Sequence, residues 1–152
     1  MKTVIISPFS KLLRNNERNP KNYPFWKDVV GLLKEKGIHI IQIGVLGEEQ
    51  IGAHEVKLNL KLKELKTLLD KSDTFVSVDN FFNHFASYYG KKGVVIFSRS
   101  DPNIFGYSQN INLLKDRKHL RSNQFELWEQ DSFNLDAFID PISVVQAIES
   151  LL

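Results

Sequence analysis

The stretch Phe75–Tyr107, FVSVDNFFNHFASYYGKKGVVIFSRSDPNIFGY, constrains the fold more than any other part of the chain. TFVSV (Thr74–Val78) and GVVIF (Gly93–Phe97) are apolar and rich in β-branched residues, which suits buried strands. Between them Phe82, Phe85, Ala86 and Tyr89 recur with a helical period. Asp79-Asn80 can cap that helix, because a short polar side chain accepts a backbone N–H, and Gly90 can end it. A polar loop, Ser98-Arg99-Ser100-Asp101-Pro102, follows the second strand. In parallel α/β sheets ligands sit beyond the carboxyl ends of strands, where helix N-termini present free N–H groups. Asp79–His84 and Ser98–Asp101 both fall at such ends.

The rest of the chain extends the same alternation. Thr3–Ser7 reads as a strand, followed by a long polar loop from Pro8 to Pro24 that is expected to be functional or mobile. A helix opened by Pro24 presents Trp26, Val29, Val30 and Leu33 and stops at Gly37. Ile38–Ile43 is the next strand, leading into the glycine-rich turn Gly44–Glu49. Residues Gln50–Leu58 are ambiguous between a turn and an edge strand. Leu60–Leu69 is expected to be a helix with Leu62, Leu65 and Leu69 inward. Asn110–Leu114 is a further strand candidate. Asp116–Asn134 is irregular, with Phe125 and Trp128 as expected anchors. Asp140-Pro141 begins a closing helix with Val144, Val145, Ile148 and Leu152 inward. The pattern predicts one α/β domain over residues 1–152, a doubly wound, Rossmann-like parallel sheet.

Composition limits the function classes. With 20 Lys+Arg against 18 Asp+Glu, and no basic block, the chain gives no footprint of a nucleic-acid partner. It has no cysteine, so disulfide and thiolate chemistry are excluded. No apolar run reaches the roughly 20 residues of a membrane-spanning helix, and MKTVIISPFS is too short an apolar run for a signal peptide. A cytoplasmic-type soluble domain is expected. No spaced His/Asp/Glu set suggests a metal site.

From Leu62 to Tyr107 the chain resembles the C-terminal, nucleotide-sugar-binding half of the family 9 glycosyltransferases, heptosyltransferase-like enzymes of GT-B fold. The residues that carry the resemblance are Asp79-Asn80-Phe81-Phe82-Asn83-His84 against D-[ST]-G-x-x-H, and Phe97-Ser98-Arg99-Ser100-Asp101-Pro102 against F-G-P-T-D-P. Phe105-Gly106-Tyr107, the approach Lys21-x-x-Pro24 and the turn Gly44–Glu48 follow in the family's order. Two departures stand out. Phe81 replaces the family glycine, and Ser98-Arg99 replace Gly-Pro.

The resemblance implies one half of a GT-B fold that binds a nucleotide-diphosphate sugar as donor substrate, with no other cofactor and no bound metal. His84 and the adjacent backbone, with Asp79, Asn80, Phe81, Ser100 and Lys21, would then hold the diphosphate. Glu48 or Glu49 would reach the ribose hydroxyls. Arg99 is a further candidate clamp for phosphate. Plainer roles stand beside these: Asp79 as a cap only, Lys21 and His84 as solvated side chains, Arg99 paired with Asp101, and Phe81 in a core with Phe82 and Phe85. No catalytic residue is assigned. Glycosyl transfer would need a separate acceptor-binding domain, supplied by a partner chain or by self-association. The alternative is a non-catalytic, degenerate nucleotide-binding or interaction module.

Overall fold

The computed structural model describes residues Met1–Leu152. Six strands form one sheet in the order β3-β2-β1-β4-β5-β6, with every neighbouring pair parallel. They are β1 (Thr3–Ser7), β2 (His39–Gly44), β3 (Glu55–Leu58), β4 (Thr74–Val78), β5 (Gly93–Phe97) and β6 (Ile111–Leu114). The helices are α1 (Trp26–Glu35), α2 (Leu62–Lys71), α3 (Phe81–Tyr88), the short α4 (Pro102–Phe105) and α5 (Pro141–Ser150). This is the doubly wound, Rossmann-like arrangement that the alternation predicts. No helix is long and apolar enough to cross a membrane.

Successive strand residues face opposite sides, and both sides are buried. Val4, Ile6, Ile40, Val76, Val78, Val94 and Ile96 pack under α1 and α5. Ile5, Ile41, Ile43, Phe75, Val95 and Phe97 pack under α2 and α3. The continuous apolar runs of the central strands follow from this double burial.

Four expectations are corrected. Helix α1 begins at Trp26 rather than Pro24, because Tyr23 is drawn into the core and its hydroxyl donates to the Ile139 carbonyl at 2.9 Å. In α2 Leu69 is buried and the half-buried Leu65 packs against the same core cluster, but Leu62, at the first position of the helix, is 60% exposed. Tyr89 falls outside α3 as its C-cap and stays exposed, with the Lys66 ammonium 4.8 Å from its ring. Phe125 is 79% exposed and anchors nothing in the core, whereas Trp128 is half-buried. The ambiguous Gln50–Leu58 stretch resolves into edge strand β3.

Polar residues set the loops at the strand ends. Asn80 caps α3, accepting from the Asn83 amide at 3.3 Å. Its Nδ2 lies 3.0 Å from Ser7 Oγ, 3.2 Å from the Ser7 carbonyl and 3.3 Å from that of Phe9, tying β4 to β1. The Pro8–Pro24 loop is held by buried partners: the Ser10 amide donates to Asn22 Oδ1 and the Trp26 indole to the Pro8 carbonyl. After β6 the chain folds back over β5. Arg99 forks onto Asp131 at 2.8 and 3.1 Å, and Gln124 donates to the carbonyls of Arg99 and Arg121. Burial raises the Asp131 carboxyl, but the Arg99 bonds outweigh it and hold the group below its ordinary value.

Gly93 lies against the Phe75 ring, which an added Cβ would overlap. Gly93→Ala is expected to lower stability by about 1–3 kcal/mol in a urea titration, and an unchanged midpoint would show that the ring swings aside. Asn80→Ala removes a cap and the β1–β4 tie, with an expected loss of about 2 kcal/mol by the same measurement. The depressed pKa of Asp131 means its stabilisation is present above the unfolded value of about 3.9 and lost as pH falls through the lower folded value. Asp131→Asn is therefore expected to start less stable at neutral pH and to lose less on acidification, as read by stability against pH.

Candidate functional site at the carboxyl ends of the strands

Strands β1 and β4 are neighbours, but β1 continues toward β2 on one side and β4 toward β5 on the other. The loops leaving them therefore diverge and open a crevice, the usual ligand position in such sheets. A cleft of about 530 Å³ lies beside this point. Its floor is Ser7, Ile43 and Gly44, and one wall is the start of α3, Asn80 to Phe82. The opposite wall is the β2 turn with Glu48 and the β3–α2 connection with Lys57, Asn59, Leu60, Leu62 and Leu65. Leu62 and Leu65, which the periodicity assigned to the core, thus supply apolar lining to the cleft.

Lys21 reaches this cleft from the Pro8–Pro24 loop. Its side chain is only 16% exposed, and its ammonium sits 3.7 Å from Asp79 Oδ2. Burial pushes the Lys21 pKa down, and Asp79 partly offsets that. Lys21 is therefore not a solvated loop lysine. The other Asp79 oxygen lies 3.9 Å from His84 Nε2, and His84 Nδ1 is 2.8 Å from the Tyr107 hydroxyl. Lys21, Asp79, His84 and Tyr107 form one chain of polar contacts along the start of α3. His84 is about half exposed, as its place off the Phe82 face predicts.

Phe81 is 61% exposed at the mouth of the cleft and leaves the core to Phe82. It occupies the first position of α3 behind an extended Asn80, and only Asn16 and Asn59 among non-glycine residues have positive φ. The backbone at Phe81 therefore makes no demand for glycine. The first amides of a helix have no partner within it, and those of Phe81 and Phe82 belong to residues lining the cleft.

The remaining candidates separate. Glu48 lies between this cleft and a second one of about 600 Å³, and its Oε1 accepts from the Val45 amide at 2.7 Å. Burial raises the Glu48 pKa. Glu49 lines only the second cleft, with Lys27 at 3.9 Å. Arg99 is bound to Asp131 and to the His119 carbonyl rather than to Asp101, which is held by Arg117. Ser100 is buried beside it and its hydroxyl has no partner. Of the candidates, Lys21, Glu48, Asn80 and Phe81 line the cleft, whereas Asp79, His84, Arg99 and Ser100 do not. Ser10, Asn19, Lys57 and Asn59 do line it and carry no motif; only the unusual length of the first loop pointed toward the first two. No three His, Asp or Glu side chains gather as metal ligation would require.

Neither protein-family models nor curated proteins match the sequence. Solved structures do. ADP-heptose lipopolysaccharide heptosyltransferase II of E. coli matches 99% of this chain and 46% of its own, with TM-score 0.71 and 14% identity. E. coli heptosyltransferase WaaC, solved with ADP, matches 99% of this chain and 44% of its own, with TM-score 0.68 and 19% identity. A family 9 glycosyl transferase from Veillonella parvula matches 99% and 46%, with TM-score 0.69 and 16% identity. The chain spans a little under half the length of these structures. At such identities the likeness is one of fold, and the fold is that of part of a GT-B heptosyltransferase, as the sequence resemblance implies.

Proposed function

We propose that the cleft binds a nucleoside diphosphate sugar, and that the domain supports glycosyl transfer together with an acceptor-binding unit. The observation that carries this reading is the buried Lys21–Asp79 pair at the N-terminus of α3, beside the β1–β4 switch point. A diphosphate needs cations and free N–H donors in one place, and a helix start beside a buried ammonium supplies both. Asp79 holds Lys21 in position and caps its charge until phosphate arrives. The apolar wall of Leu60, Leu62 and Leu65 suits a nucleobase, and Glu48, which lines the cleft beyond β2, would meet the ribose hydroxyls. The fold of the E. coli and Veillonella enzymes supports the same assignment. In transfer, the Lys21 ammonium and the α3 amides would stabilise charge building on the departing diphosphate.

A thermal-shift and calorimetric screen of UDP, ADP, GDP and CDP with their sugars tests this. A ligand at 100 times its dissociation constant adds about 2.7 kcal/mol of stability. One nucleoside diphosphate is expected to raise the melting temperature, and Lys21→Ala to weaken it at least about tenfold, the worth of a charge-assisted hydrogen bond. Absence of any shift at millimolar concentrations would overturn the reading.

A further inference from the structure

The strand ends hold a second buried cation, and its carboxylate partner is more exposed than that of Lys21. Arg121 is 5% exposed. Its Nη2 donates to the carbonyls of Glu126 and Leu127 at 2.7 and 3.2 Å, and its guanidinium lies 4.0 Å from the centre of the Trp128 ring. Nε and Nη1 have no partner. Lys21 has Asp79 and Arg99 has Asp131, but the nearest acid to Arg121 is the more exposed Glu126, 3.9 Å from Nη2. The buried hydroxyls of Ser77, Ser98 and Ser100 and the Asn83 amide group also lack partners. These residues fall at the carboxyl ends of β4 and β5 and in the first turn of α3. The Arg121 amide donates to the carbonyl of Arg99, the neighbour of Ser100. Buried donors left empty cost stability, so the two free nitrogens of Arg121 point to something that fills them. Lys21 lies over the same Trp128 ring, 5.1 Å from its centre, so one indole is in reach of both cations.

We propose that Arg121 seats an oxyanion of the donor on the β5 side of Lys21. The proposal rests on the nucleotide-sugar reading: with the nucleoside near β2 and the phosphates at α3, the far end of the ligand runs toward β5. The oxyanion is then the sugar-side phosphate or a carboxylate on the sugar, and the guanidinium fork suits either. Nε and Nη1 are shielded, so seating an anion requires the Trp128 segment to shift.

The test is calorimetric titration of wild type and Arg121→Lys with the nucleoside diphosphate that binds, its monophosphate, its glucose and glucuronic acid derivatives, and inorganic pyrophosphate. Lysine keeps the charge and loses the fork. Weakening of the diphosphate by about tenfold with the monophosphate unchanged identifies the phosphate. Weakening of the glucuronic acid derivative alone identifies the sugar carboxylate. If every ligand weakens in step, or none does, Arg121 only holds its loop and the proposal fails. If wild type binds pyrophosphate but no nucleotide, and Arg121→Lys binds neither, the anion seat stands and the nucleotide reading falls. If wild type binds neither, both fall.

Discussion

All-parallel pairing is the constraint on which the rest of the structure depends. Parallel neighbours cannot be joined by a tight turn, so each return crosses a face of the sheet, usually as a helix. Every strand therefore ends at the same edge, and each helix after a strand starts there. At the β1–β4 boundary the chain leaves in opposite directions, and the gap that opens cannot be filled by core residues. Asn80 bridges it with one side chain, capping α3 while holding the Ser7 and Phe9 carbonyls. The place where the sheet is least able to close is thus where polar groups are most tightly arranged.

Two irregular segments reach over that edge, Pro8–Pro24 and Asp116–Asn134, and both are fastened by buried polar contacts. Asn22, Tyr23 and Trp26 fix the first; the Arg99–Asp131 fork and Gln124 fix the second. They meet at Trp128, whose ring both Lys21 and Arg121 approach. Buried ion pairs are poor stabilisers because desolvation consumes most of their attraction. Their effect here is better described as placement: long cationic side chains are held at fixed positions along the strand ends.

Much of the fold was legible because periodicity reports burial directly. Thr3–Ser7, Thr74–Val78 and Gly93–Phe97 have the bounds that their apolar runs imply. At the site the same rule misleads. Leu62 carries the spacing of a core residue, yet it lines the cleft, since an apolar cleft wall and an apolar core ask for the same side chains. Arg99 has an acid two positions away in Asp101, but the loop carries the two apart and the fork forms with Asp131 instead. Arg121 lies in no motif and on no periodic face, so nothing local marked it.

The sequence by itself determined the parallel α/β class, the order of strands and helices, and the placing of Asp79, Asn80 and His84 where a strand hands over to a helix. These are short-range properties, set by side-chain periodicity and by caps within a few residues. Only the tertiary structure decided that Lys21 is buried against Asp79, that Arg99 turns away from the cleft, and that Arg121 is left with empty donors. Each of those outcomes joins residues far apart in the chain, and only the packed sheet, with its loops folded over one edge, brings them within reach of one another.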